Sequence, residues 1–223
     1  MDGDSRPQMC LVCEMTAKRQ MDKRKSASAP AERGLRADAQ RNRDKLIKVA
    51  GAAFAEHGID TSLEQIAERA DVGIGTLYRH FPTREHLVEV VYAREVQALC
   101  QAADDLAKKH PPDVALALWM QRFVDYIAAK RGMAQSLKLL LASNSEFFAE
   151  ASGKIPAALQ RLIDAAKTNG SIRADIDSSD VMHALSGIYG GPQTPDWRER
   201  SKRLAALVMD GLRWGAKETG GRR

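Results

Sequence analysis

Long apolar runs are missing from this chain: no stretch reaches the ~18–20 consecutive apolar residues that a membrane-spanning helix needs. No membrane partner is expected. The opening residues carry Asp2 and Asp4 where a secretory signal has basic groups, and the apolar Leu11–Val12 that follows is too short for a signal core, so a cytoplasmic location is expected. Cysteine is scarce, and its odd count of three argues against a disulfide scaffold. Catalytic patterns are missing too: there are no paired carboxylates, no Ser/His/Asp order, no HExxH and no phosphate-cradling glycine loop. Gly73 and Gly75 are the only glycine pair near a helix start, and no strand precedes them as a nucleotide site would require. The histidines at 57, 80, 86, 110 and 183 show no spacing that gathers a metal. Neither catalytic residues, a metal nor a cofactor is expected. Strand-type alternation is absent as well, which leaves an all-α chain.

What is present suits a chain of one or two domains with a sizeable core, at 44% hydrophobic residues in 223. The most legible stretch is 62–81, SLEQIAERADVGIGTLYRHF. Leu63, Ile66, Ala67 and Ala70 fall at i, i+3, i+4 and i+7, one apolar stripe on a helix of about two turns. Thr61 with Glu64, or Ser62 with Gln65, supplies a capping box at its start. Asp71-Val72-Gly73 breaks the stripe with residues suited to a tight turn. A second helix, 74–81, carries Leu77 and Phe81 toward its partner and leaves Gly75, Thr76, Tyr78 and Arg79 outside; Pro82 stops it. This is the pattern of a helix-turn-helix, whose second member enters the DNA major groove by its N-terminal end.

These residues resemble a known family. GIGTLYRHFPTREHLVEVV, with SLEQIAERA and the helix KLIKVAGAAFAEHG before it, is similar to the DNA-binding domain of TetR/AcrR-family transcriptional regulators from about Gln40 to Leu99 without a gap. Asp71 and Gly73 depart from the Gly and Ser that the family often has there, so turn and cap are built differently. The resemblance implies an N-terminal three-helix helix-turn-helix domain followed by a C-terminal helical bundle for ligand binding and dimerisation. It also implies a four-helix dimer interface. Thr76 and Tyr78 are expected to hydrogen-bond phosphates, Arg84 to meet a phosphate charge, and Ser62, Ile74, Gly75 and Arg79 to lie nearer base edges, with His80 beside Arg79.

Charge is uneven along the chain. From Lys18 to Lys48 there are eleven Lys or Arg against four Asp or Glu, whereas residues 49–103 carry eight acids against four bases. The basic part is compatible with a solubilising tail or with DNA contact; beside a helix-turn-helix the second reading leads, with Arg33, Arg36, Arg41 and Arg43 as candidates for backbone or minor groove. Phosphate attraction within 49–103 must come from specific groups and helix N-terminal amides. Residues 1–37 read as a disordered basic arm, in which Cys10 and Cys13 are expected to be incidental thiols. The first helix is expected over 37–57, with Leu46, Ile47, Ala50, Ala53 and Phe54 buried, and a fourth from Arg84 to about Ala107.

Beyond Pro111-Pro112, turn signals at 131–132, 152–153, 169–170 and 190–195 divide the chain into helices over roughly 113–130, 133–150, 155–168, 179–190 and 197–215. The run Gly170 to Ile176 with Ser179-Asp180, and the ending RLAALVMDGLRWG, also resemble the regulatory half of TetR-type proteins. Domains are accordingly expected at 1–37, 38–103 and 104–218. A ligand pocket is expected to draw on Trp119, Phe123, Tyr126, Phe147 and His183, although aromatics at helical spacing are more often core. Ala184, Gly187, Leu204, Leu207, Val208, Gly211 and Leu212 suit either a dimer face or ordinary core.

The expectation is a homodimeric, sequence-specific transcriptional regulator, a repressor of a palindromic double-stranded operator released by a small-molecule effector. The competing reading is a helical interaction protein whose basic arm binds nucleic acid or membrane without sequence preference.

Overall fold

The computed structural model describes residues 37–58, 61–143, 145–190, 194–214 and 216. Expectations for Arg33, Arg36, Cys10 and Cys13 lie outside the described residues. The chain divides into two compact units, 1–44 and 45–223, each described by itself. Of the first, residues 37–44 are helical, with Gln40 donating to Asp44 at 3.1 Å and Arg41 pairing with Asp38.

Among the described residues all regular structure is helical: α1 (37–57), α2 (Leu63–Arg69), α3 (Ile74–His80), α4 (Arg84–Lys109), α5 (Pro112–Gly132), α6 (Ala134–Ser143), α7 (Ser145–Asn169), α8 (Ser178–Tyr189) and α9 (Trp197–Arg213). Leu46, Ile47, Ala50, Ala53 and Phe54 of α1 are buried, as their spacing predicts. No helix is long and apolar enough to cross a membrane, among the residues described.

Helix α4 runs from the helix-turn-helix end of the second unit (α2, α3 and the part of α1 from Lys45 on, the head) to the helices that follow (α5–α9, the body). It buries Leu87, Val88 and Val91 near one end and Leu99, Ala102, Ala103 and Leu106 toward the other, packing on α5 and α7. Helix α5 is the innermost element, with Leu116, Trp119, Met120, Phe123, Val124 and Tyr126 all buried. The Trp119 indole N–H donates to the carbonyl of Leu99 at 2.9 Å, satisfying a buried donor that would otherwise be costly.

One expected boundary moves. The turn signal at Ser152-Gly153 predicts a break between two helices, yet α7 runs through both residues and through Pro156; α6 ends at Ser143 and α7 begins at Ser145. Continuous burial along one face, at Ala151, Ile155, Ala158, Leu159, Leu162, Ile163 and Ala166, outweighs the hydrogen bond that proline cannot donate.

Gly132 marks where the head meets the body. A Cβ built there would lie 1.9 Å from the carbonyl oxygen of Phe54 and 3.2 Å from Gly58 Cα, so only glycine lets the end of α5 approach the end of α1.

Candidate nucleic-acid interface

Helix α2 begins with the reciprocal cap its sequence offers. The Gln65 amide donates to Ser62 Oγ at 3.1 Å, and the Gln65 side-chain oxygen accepts from the Ser62 amide at 3.2 Å. Ser62 is thus the cap, and Thr61 has another role. Its buried hydroxyl lies 3.0 Å from the carbonyls of both Ala53 and Gly58, fastening the start of α2 to the end of α1.

Between α2 and α3 the left-handed residue is Asp71, at φ +53°, with Lys45 Nζ 3.7 Å from its carboxylate. Gly73 sits in ordinary extended backbone as the cap of α3, where it supplies no side-chain acceptor. A Cβ there would meet nothing within 4 Å.

Helix α3 is anchored by one buried side chain. Leu77 is fully buried, as is Phe81 just beyond, against which the His86 ring packs edge-on at 5.8 Å. On the outward side Ile74 is 39% and Tyr78 45% exposed, and Gly75 and Arg79 are exposed with them. Thr76 and His80 are half-buried, His80 tilted against Phe81 at 6.2 Å. The structure therefore brings Ile74, Gly75, Tyr78 and Arg79 together on one accessible surface. Leaving two large apolar side chains in water has no packing rationale on a helix this short; a groove-facing surface supplies one.

Arg84, expected as a phosphate contact, is held inward. Its Nη1 donates to the Thr61 carbonyl at 2.6 Å, and its guanidinium carbon stands 5.3 Å from the centre of the Phe54 ring. The side chain ties α4 to the end of α1 and the start of α2, and its burial is not visible in the sequence. The Thr83 hydroxyl caps α4 beside it, accepting from the His86 amide at 3.1 Å. Arg41 is exposed on the first unit.

In the body, a pocket of about 180 Å³ opens among α5, α7 and α8. Phe123, Tyr126, Ile127, Ile155, Pro156 and Met182 form its apolar wall. Lys130, Ser152 and Ser186 are its polar groups. Two of the expected pocket residues, Phe123 and Tyr126, line it. Trp119 does not: it is fully buried and stacked on Phe123 at 5.7 Å, so it supports the wall from behind. His183 does not either. It is exposed, with Nδ1 2.8 Å from the Ser179 carbonyl, because α8 turns Met182 inward and its neighbour out. The side chain of Phe147 lies outside the described residues. Sequence reasoning misses Lys130: a lysine in the last turn of a helix reads as solvated, and only the packing of α7 against α5 makes it part of a pocket wall.

Fold and surface together define a helix-turn-helix DNA-binding regulator with an enclosed regulatory body. Residues 46–91 match the family model described as bacterial regulatory proteins, tetR family, and residues 111–214 match that of the transcriptional regulator SbtR-like C-terminal domain. The chain resembles the TetR transcriptional regulator SCO0520 from Streptomyces coelicolor, with 46% identity, 77% of this chain and 98% of that one covered, and a TM-score of 0.69. A TetR regulatory protein from Mycobacterium vanbaalenii is 33% identical over 80% of this chain and 99% of its own, with a TM-score of 0.63. The transcriptional repressor KstR of Mycobacterium tuberculosis is 33% identical, covering 71% of this chain and 73% of its own. The chain belongs to the TetR family of bacterial transcriptional regulators, a class defined by DNA binding rather than catalysis.

Proposed function

We propose that the chain is a homodimeric repressor that reads a palindromic operator through α3 and is released from it by a small molecule held among α5, α7 and α8. The observation that carries this reading is the accessible surface of Ile74, Gly75, Tyr78 and Arg79 on a helix pinned by Leu77, in a chain whose body contains a lined pocket. Tyr78 and Thr76 are assigned to phosphates; Ile74, Gly75, Arg79 and Ser62 to base edges, with Ile74 suited to a thymine methyl. His80 flanks them, and Arg36 and Arg41 reach the neighbouring backbone or minor groove. Arg84 takes a supporting role, positioning the head through Thr61.

Dimerisation is supported by exposed apolar and small residues on α8 and α9. Ala184 and Gly187 of α8 and Gly211 of α9 are exposed, and Leu204 and Leu207 are 42% and 66% accessible, whereas Leu212 belongs to the core. A two-fold pair of short reading helices doubles the contacts on a palindrome. The similarity to KstR, a repressor, supports repression over activation.

Release is supported by the route from pocket to head. Ile127 and Lys130 line the pocket, and Gly132 at the end of the same helix abuts the Phe54 carbonyl of α1. Through the head's attachment, ligand binding alters the spacing of the two reading helices. A coupling of ~1–3 kcal/mol changes operator affinity by ~5- to 150-fold. By reciprocity, the operator weakens effector binding by the same factor.

The test is a titration against the duplex upstream of the chain's own gene and a scrambled duplex, at two salt concentrations. Preference for the native duplex at both salts is expected. Equal binding to both duplexes, following salt alone, would restore the nonspecific-arm reading.

A further inference from the structure

A second pocket, of about 270 Å³, adjoins the first, with Lys130 and Ser152 on the walls of both. Its other walls include Tyr92 of α4, Leu137 and Leu141 of α6 and Phe148 of α7. The first pocket takes no lining residue from α4, the helix next after α3; the second does. On that same helix Val91 and Glu95 lie against α1: a Cβ built at Gly51 would stand 3.7 Å from Val91 Cγ1 and 2.8 Å from Glu95 Oε1. A molecule in the second pocket therefore touches the helix on which α1 rests.

The polar groups of this pocket differ in what they have left to give. Ser152 donates its hydroxyl to the Phe148 carbonyl at 2.6 Å, and Lys130 has an interaction of its own. Tyr92 is only 2% accessible, yet its hydroxyl has no hydrogen-bond partner among the described residues. The ring is held by its neighbours, 5.0 Å from Phe148 and 6.4 Å from Tyr126 between centroids. Its oxygen is not one of the polar atoms sealed from solvent, so the small accessible part of the residue includes the hydroxyl, and the space that Tyr92 lines is this pocket. A purely hydrocarbon occupant would close off that hydroxyl and leave it unsatisfied, at a cost. An occupant that brings an oxygen acceptor gains a hydrogen bond whose donor is already positioned, while its apolar remainder meets leucine and aromatic walls.

We infer that the pocket bounded by Tyr92, Leu137, Leu141 and Phe148 is a binding site for an apolar molecule bearing an acceptor oxygen, such as a carbonyl, to which Tyr92 donates its hydroxyl. This deepens the effector-released reading above and rests on it for its regulatory meaning, though not for binding itself.

The probes are acetophenone, 2-acetylnaphthalene and cyclohexyl methyl ketone, each beside the hydrocarbon in which a methylene replaces the carbonyl. All are neutral, so the contrast isolates a hydrogen bond from charge. Each is measured by equilibrium dialysis against the full chain and against Tyr92→Phe, a comparison that cancels the difference in hydrophobicity between ketone and hydrocarbon. For at least one pair, the ketone-to-hydrocarbon affinity ratio is expected to fall roughly three- to tenfold in Tyr92→Phe, the effect of one hydrogen bond. Where the hydrocarbon does not bind, the ketone's own loss by that factor is the readout. The unfolding midpoint of Tyr92→Phe should match that of the unaltered chain, because the hydroxyl bonds nothing in the fold. A ratio that is the same in both chains, no binding by any ketone, or a lowered midpoint overturns the inference. Operator binding is measured in parallel without any probe. Intact operator binding with no Tyr92-dependent ketone binding removes the inference alone, whereas Tyr92-dependent ketone binding in a chain that ignores its operator removes the regulatory reading and leaves the site.

Discussion

Helices α3 and α5 use the same residue types in opposite ways. On α3, Ile74 and Tyr78 stand 39% and 45% exposed around a single buried Leu77; on α5, Ile127 and Tyr126 are buried with nearly every apolar neighbour. The difference follows from what surrounds each helix. α3 rests on the head by one side and its other side is unpartnered within the described chain, so apolar groups there must answer to something outside it. α5 is enclosed by α4, α7 and α9, so even its polar members are drawn inward, Lys130 among them. The exposed Ile74 and Tyr78 of α3 are therefore consistent with a binding surface, while the aromatics of α5 indicate packing unless a cavity lies beside them.

Adjacent residues of α3 give the sharpest way to break this contrast. Leu77→Ala is expected to cost about 2–5 kcal/mol of stability, as fully buried leucines do, visible as a lowered unfolding midpoint. Tyr78→Ala should leave that midpoint within about 0.5 kcal/mol. It should weaken operator binding roughly 30-fold, from two lost hydrogen bonds of about 1 kcal/mol per dimer. If Tyr78→Ala instead unfolds the head, the outward surface of α3 is structural.

Arg84→Ala comes next. Because the guanidinium is committed to the Thr61 carbonyl, the loss is expected in stability, by about 1.5–3 kcal/mol, with the salt slope of DNA binding unchanged. A slope shallower by about 0.9 would return Arg84 to the phosphate contacts. Gly132→Ala forces a methyl against backbone and should cost about 1–3 kcal/mol. Operator affinity should fall with it, since the strain is placed between body and head; an unaltered Kd would cut that route.

Glu95 of α4 offers a pH test on the same junction. Burial raises its pKa despite Arg94, with Asp125 of α5 adding to the rise. A raised folded-state pKa means stability that is complete below the unfolded value and lost as pH rises through the folded one. Glu95→Gln should therefore stabilise the chain at pH 7 and have little effect at pH 4, as read by denaturant midpoints at both. The smallest effect is expected from Gly73→Ser, which supplies the missing hydroxyl cap to α3 and should add a few tenths of a kcal/mol. A loss there would mean that backbone freedom at Gly73 is used.

The head was legible because its determinants are local. Helix starts, the Ser62–Gln65 box, the turn at Asp71 and the stop at Pro82 each depend on residues a few positions apart. Even there the choice between Thr61 and Ser62 as cap was open, since Thr61's alternative partners, Ala53 and Gly58, belong to the preceding helix and turn. The body was legible as helices but not as a site. Ser152-Gly153 reads as a break and sits inside α7; His183 reads as a pocket residue and faces out; Lys130 reads as solvated and lines two pockets.

The helical class, the start and turn of the two reading helices and the family resemblance of the head are legible in the sequence, because capping, turn chemistry and apolar period act within one or two helical turns. Packing alone shows that Arg84 bonds the Thr61 carbonyl, that Gly132 admits the α1 backbone, and that Lys130 lines a pocket. Each of those depends on groups brought together from distant parts of the chain, and burial, close approach and charge in a cavity are properties of the packed neighbours rather than of the residue that bears them.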